Sequence, residues 1–327
     1  MNINRRQFGK YSIGAAAAIL ASKSNSLAQD TGPVRLVVGV PPGGLTDTSA
    51  RLFAVPFGKQ IGRQVIVENR PGATGYIGVS AVTDAPKDGS VMLFSAGSQI
   101  VVNPHISRSY KQDPVDALDH LALATEGVFV VTTNAQTGVN TMQDFIALAK
   151  ADPGKLNFGT VGIGSFSHLL AELLQKKANI VMNPVHYRGT APLLPELISN
   201  QVQLAIEGPG SLQTGIAAGD FKPLMVLSPK RYAGLPDVPT SSEAGIEGMD
   251  QISNWFGVHV PKGLPPELLA RYKAAAQEAI HSPEFKQKIE AIGNTVPDLS
   301  ADAFADRIRA ESALFKAIAT ENKITVD

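Results

Sequence analysis

Two short segments carry residue types that could hold an anion without a basic side chain. The first is Pro41-Pro42-Gly43-Gly44-Leu45-Thr46-Asp47. The second is Gly159-Thr160-Val161-Gly162-Ile163-Gly164-Ser165-Phe166-Ser167-His168. Each sets glycines and hydroxyls between an apolar run and an amphipathic one. A helix start exposes unpaired backbone N–H groups and partial positive charge, so a bare turn leading into it can receive a carboxylate or phosphate. Gly43, Gly44 and Thr46 are the candidates in the first turn, and Gly164, Ser165 and Ser167 in the second. Either segment alone also reads as an ordinary strand-to-helix turn. The pair, far apart in one chain, suggests two halves of a single clamp. Asp47 reads as a cap or brace, because its charge opposes an anion. His168 can brace its own loop or touch a ligand, and both readings stay open.

Other candidates follow from position. Ser95 and Ser98 end an apolar run, at the edge where α/β sheets bind ligands. Glu207 follows another; it could meet a cationic group of a ligand or brace a loop. Trp255 could wall a pocket or fill a core. Several enzyme signatures fail. The 162–167 segment departs from the dinucleotide fingerprint at its third glycine, and there is no GxSxG elbow or Gly-Lys-Ser/Thr P-loop. The six histidines show no HxxxH or HExxH spacing and there is no cysteine, so no metal ligand is assigned. Ser167 and His168 are adjacent, and neighbours on a helix do not face each other. No catalytic residue and no cofactor is expected.

The elements that must position these residues alternate. Apolar runs at 34–40, 64–68 and 91–94 read as buried parallel strands, with helices between them through Leu52, Val55 and Phe57 and through Ile77 and Val82. A strand over 121–133 can carry the chain to a second lobe. Thr141 and Asp144 resemble a capping box. A strand at 156–159 precedes the second turn, and the helix after Ser167 aligns Leu169, Leu170, Leu173 and Leu174 on one face. Strands at 185–187, 202–206 and 224–227 follow. The run 251–260 can return the chain to the first lobe before three helices opened by Pro265-Pro266, Ser282-Pro283 and Ser300-Ala301-Asp302. The expected architecture is α/β with two lobes, 29–127 plus 253–327 and 128–252, joined by two crossovers.

Residues 1–28 read as a cleaved export signal. Arg5-Arg6 precedes a short Ala-rich apolar run, and Ser26-Leu27-Ala28 supplies small residues for cleavage. The paired arginines point to the twin-arginine route. That run is too short to cross a hydrocarbon core of about 30 Å. The chain has 29 basic and 29 acidic residues; cleavage after Ala28 removes four basic and no acidic ones, giving a net charge of 25 − 29 = −4. A mildly acidic chain without a basic run argues against nucleic acid as a partner.

In order and spacing the chain resembles the extracytoplasmic receptor family of tripartite tricarboxylate transporters, the Bug receptors. The resemblance rests on Pro42-Gly43-Gly44 with Asp47 and Ala50-Arg51, on Val67-Glu68-Asn69-Arg70-Pro71-Gly72-Ala73 with Gly75, and on Asn157-Phe158-Gly159 with Gly164-Ser165 and Ser167-His168. Leu235-Pro236-Asp237-Val238-Pro239-Thr240 with Glu243-Ala244-Gly245 completes it. It implies a type II periplasmic binding protein fold closing on a small organic carboxylate. It implies that both glycine-rich turns pinch that carboxylate, and that the partners are integral membrane permease subunits served by a monomer. Departures are Glu207, where relatives commonly have Asp, and His186, where Pro is common. A secreted α/β hydrolase and a periplasmic sensor are the alternative functions.

Overall fold

In a computed structural model, residues 32–250, 252–321 and 323–326 are described. The export segment 1–28 lies outside them. The chain opens with β1 (Val34–Val38), α1 (Leu45–Ile61), β2 (Val65–Asn69), α2 (Tyr76–Thr83) and β3 (Val91–Ala96). Short helices α3 (Gly97–Val101), α4 (Asn103–Ile106) and α5 (Pro114–Ala117) lead to β4 (Leu118–Gly127). Val34, Leu36, Val37 and Val38 are fully buried, as a strand covered by helices on both faces requires. Helix α1 lays Phe53, Phe57 and Ile61, spaced by four, against this sheet, while Val55 points to solvent at 52% exposure.

The second sheet holds β5 (Phe129–Asn134), β6 (Asn157–Thr160), β7 (Asn183–His186), β8 (Leu204–Glu207) and β9 (Phe221–Leu227). Its helices are α6 (Met142–Ala151), α7 (Phe166–Ala178), α8 (Thr190–Ile198) and α9 (Pro209–Ala218). The chain then returns through β10 (Asn254–Pro261) and ends in α10 (Pro266–His281), α11 (Pro283–Ala291) and α12 (Ala301–Glu321). The two sheets have strand orders β2-β1-β3-β10-β4 and β7-β6-β8-β5-β9. β1, β2 and β3 run parallel, as do β6, β7 and β8. Each lobe therefore gathers the loops after those strands on one edge.

Two expectations need correction. The single strand over 121–133 is two strands, β4 and β5, broken at Val128 where the chain changes lobe. Helix α7 starts at Phe166, not after Ser167, because Ser165 caps it by accepting from the His168 N–H. The capping box at Thr141 and Asp144 is present, with each side chain accepting from the other residue's N–H.

The last helix ties the lobes. Phe315 of α12 meets Phe166 of α7 with ring centroids 5.5 Å apart, and Lys176 pairs with Glu321. Arg307 of α12 binds Glu126 (2.8 Å) beside one crossover and the Ser253 hydroxyl (2.6 Å) in the other. Its Nε donates to Glu311 (2.7 Å).

Candidate functional site

The first turn links β1 to α1. Gly43 has φ +92°, a left-handed conformation that suits glycine. Gly44 precedes the helix with extended backbone and no side-chain cap. A Cβ at either position would meet nothing within 4 Å, so both face open space. The N–H groups of Leu45 and Thr46, in the first turn of α1, have no intrahelical acceptor. Asp47 turns back to hold the loop. Its Oδ2 accepts from Gly43 N–H (3.0 Å) and Arg51 Nε (3.1 Å), and its Oδ1 from Arg51 Nη2 (2.9 Å) and Asn69 Nδ2 (2.9 Å). Asn69 Nδ2 also reaches the Val40 carbonyl at 3.0 Å. Burial pushes the Asp47 carboxyl up, but these hydrogen bonds and the Arg51 charge outweigh it and hold it below the usual range. Arg51 also neutralises Asp47, so the helix start keeps its positive character toward the solvent side.

The second turn links β6 to α7 and is largely satisfied from within. Gly164 N–H donates to His168 Nδ1 (3.2 Å), Gly162 N–H to Thr160 Oγ1 (3.3 Å) and Val161 N–H to Ser167 Oγ (3.3 Å). The Ser165 hydroxyl donates to the Gly162 carbonyl at 2.7 Å and lies 3.0 Å from the Ser167 hydroxyl. The Phe166 and Ser167 N–H groups, at the start of α7, have no intrahelical acceptor. His168 is the brace of its loop. Accepting at Nδ1 places its proton on Nε2, 3.8 Å from Glu172. Burial, then the neighbouring His186 ring 4.7 Å away, lower its pKa to about 4.

Glu207 ends β8 beside this turn and is buried. Thr190 Oγ1 donates to Oε2 at 2.9 Å, and the Ser167 hydroxyl lies beside the carboxyl. Burial raises its pKa to about 7, against the lowering effect of those two hydroxyls.

The second turn touches lobe 1. Gly164 has φ +76°, and a Cβ there would lie 2.6 Å from Ile106 Cδ1 and 2.8 Å from Asn103 Oδ1. Asn103 Nδ2 in turn donates to the Thr74 carbonyl (2.6 Å), in the loop after β2. The strand-end edges of the two sheets therefore approach each other here. Two cavities lie elsewhere. One of about 590 Å³ is lined by Thr141, Lys222, Leu235 and Asp237 on lobe 2, and one of about 570 Å³ by Glu126, Ser228, Tyr232 and Arg307 at the crossovers. Neither is lined by the glycine-rich turns.

The remaining candidates are placed inside lobe 1. Ser95 is fully buried with its hydroxyl 3.0 Å from His259 Nε2, and Ser98 is half-buried in the first turn of α3. Trp255 is fully buried, gives its N–H to Glu311 (2.7 Å) and stacks edge-on against Phe304. Its ring occupies the space that a Cβ on Gly97 would need. Sequence reasoning gave no role to Arg51, Asn69, Asn103 or Thr190. Asp47 and Arg51, four apart on a helix, were a readable pair. The others join the site only through the fold.

Comparison with known proteins follows this geometry. A family model described as tripartite tricarboxylate transporter family receptor matches residues 49–323. Protein BugT of Bordetella pertussis is 31% identical over 282 residues, covering 85% of this chain and 86% of that protein. The structure of R. palustris Rpa4515 with adipate superposes with a TM-score of 0.81 at 28% identity, covering 90% of this chain and 99% of the other. The periplasmic binding protein BugD superposes with a TM-score of 0.78 at 26% identity, covering 90% and 98%. The expected two-lobed α/β fold is the one shared with these structures.

Proposed function

The chain belongs to the tripartite tricarboxylate transporter receptor family, and from that premise we propose that it is a periplasmic receptor capturing a small organic carboxylate. The observation that carries this reading is the pair of helix starts, α1 and α7, each following the end of a parallel strand, with Gly164 of the second turn packed on Ile106 and Asn103 of lobe 1 and no Lys or Arg in either turn. The first turn, Gly43, Gly44 and Thr46, holds the carboxylate from one side through the free N–H groups of Leu45 and Thr46, and the second, Gly164, Ser165 and Ser167, from the other through those of Phe166 and Ser167. Charge-assisted hydrogen bonds in a cleft that sheds water supply the affinity. The hinge lies at 127–128 and 252–253, so that 29–127 with 253–327 closes on 128–252. Closure follows because the ligand contacts both lobes and favours the shut state. Residues 1–28 direct export and are removed near Ala28, and the loaded receptor delivers its ligand to integral membrane permease subunits without covalent chemistry. Adipate, bound by Rpa4515, heads the list of ligands to try.

Melting shifts across mono- and dicarboxylates, amino acids and aromatic acids test the reading. A ligand at a hundred times its Kd stabilises by about 2.7 kcal/mol, a shift of several degrees. Ser165→Ala with Ser167→Ala is expected to weaken that shift while leaving the unliganded fold intact. Turnover of an ester panel, or no shift with any acid, would overturn it.

A further inference from the structure

Glu207 is a buried carboxyl without a cationic partner among the described residues, at a point where three helix starts meet. It accepts from Thr190, the first residue of α8, and lies beside the hydroxyl of Ser167, the second residue of α7. It lies one residue ahead of Gly208, which caps α9. The groups on the elements around it do not neutralise it. On α7, His168 is held neutral and bonds Gly164, and Glu172 lies a turn further on. β7 brings His186, which bonds Thr160, followed by Tyr187 and the exposed Arg188. Val130 of β5 pairs with Glu207 in the sheet, α8 carries Glu196 near its far end, and α9 has no titratable side chain.

A carboxylate received by the Phe166 and Ser167 N–H groups would sit one hydroxyl away from Glu207. Two negative carboxylates sharing so small and dry a space are disfavoured, and one of them takes up a proton. We propose that capture of a carboxylate at the second turn is coupled to protonation of Glu207, whose neutral acid then donates a hydrogen bond where the anionic form could only accept. Glu207 is thus a specificity residue. It favours a ligand that brings one negative charge and an acceptor oxygen to this end of the cleft, and the receptor binds best when a proton accompanies that charge. Burial already holds the unliganded carboxyl near pH 7, and a bound anion pushes it further up. The inference rests on the receptor reading above.

Calorimetry with adipate separates the two. Titrations at pH 8 in triethanolamine and in Tris, two cationic buffers whose ionisation enthalpies differ, give the protons taken up per ligand. Close to one is expected for the wild type. Its affinity should fall by up to about tenfold per pH unit above pH 7, the limit for one linked proton, a range where aliphatic diacids are already fully ionised. Glu207→Gln, which fixes the neutral form, should bind with no proton uptake and the same Kd at pH 6 and pH 8. Adipate binding by the wild type without proton uptake at pH 8, or an equal pH slope in Glu207→Gln, would overturn the coupling and leave the receptor reading standing. Binding by neither protein at either pH would count against both. The wild-type proton count decides the matter even where the variant folds poorly.

Discussion

His120 and His259 form a buried pair whose Nδ1 atoms are 2.8 Å apart, with Ser95 on the far nitrogen of His259 and Phe304 against both rings. Two protonated rings cannot coexist there. Burial lowers the pKa of His120 to about 4 and, with the His120 charge added, that of His259 well below its usual value. Both folded values are depressed, so the unfolded chain binds more protons as pH falls below about 6.5. Their stabilisation is present above that pH and is lost as pH drops toward 4. Glu207 acts in the opposite sense, since its raised value costs stability as pH rises from about 4.5 through 7. Glu172 and Glu311, also raised by burial, act with Glu207, but five histidines, His105, His120, His168, His186 and His259, are lowered, so the histidines set the net slope. His120→Leu should make stability less steep between pH 6.5 and 4, by at most about 1.4 kcal/mol per pH unit. Urea midpoints across that range check this, and an unchanged slope would assign the acid limb to other groups.

At the scale of elements, the β6–α7 turn shows why a glycine is needed where the lobes touch. Gly164 combines a left-handed φ with a packing distance that leaves no room for a methyl group. Gly43 has the same kind of φ with open space around it. Gly164→Ala is therefore expected to push α7 away from Ile106 and Asn103 and weaken ligand binding tenfold or more, about 1.4 kcal/mol. Gly43→Ala should cost only the backbone strain, about 1 kcal/mol of stability. A comparison of melting shifts for the two variants distinguishes contact from conformation, and equal losses of affinity would contradict the assignment.

For the whole molecule, the decisive feature is the polar link that α12 makes beside both crossovers. Arg307 reaches Glu126 and Ser253, one beside each crossover, while Trp255 gives its N–H to the same Glu311 that Arg307 binds. Removing the guanidinium leaves two partly buried carboxylates, Glu126 and Glu311, without their cation. Arg307→Met should destabilise the protein by about 3 kcal/mol, the low end for buried pairs, because the Arg307 side chain is 24% exposed. It should also loosen the hinge, so that small-angle scattering of the unliganded protein gives a larger radius of gyration. A variant with the urea midpoint and radius of the wild type would show that the packing of α12, as in the Phe166–Phe315 contact, holds the hinge alone.

The local signals in the chain were sufficient for most strands and most long helices, though not for the break between β4 and β5. Val34, Leu36, Val37 and Val38 cannot be anything but buried, Thr141 and Asp144 cap each other within four residues, and Pro41-Pro42-Gly43-Gly44 stops a strand. These are short-range effects, and sequence holds all of their terms. The order of the motifs also pointed to the family. The same chemistry did not say which donors of the second turn were already in use. His168, Thr160 and the Ser165 hydroxyl satisfy it from within, an outcome that depends on side-chain directions. Nor did it disclose that Trp255 and Ser95 spend their polar atoms on Glu311 and His259, or that Thr190 and Ser167 converge on Glu207 from different helices. Burial and partnership between residues far apart in the chain arise only when the sheets are assembled. For that reason the two glycine-rich turns were written in the sequence, while the charge balance around them was decided by the fold.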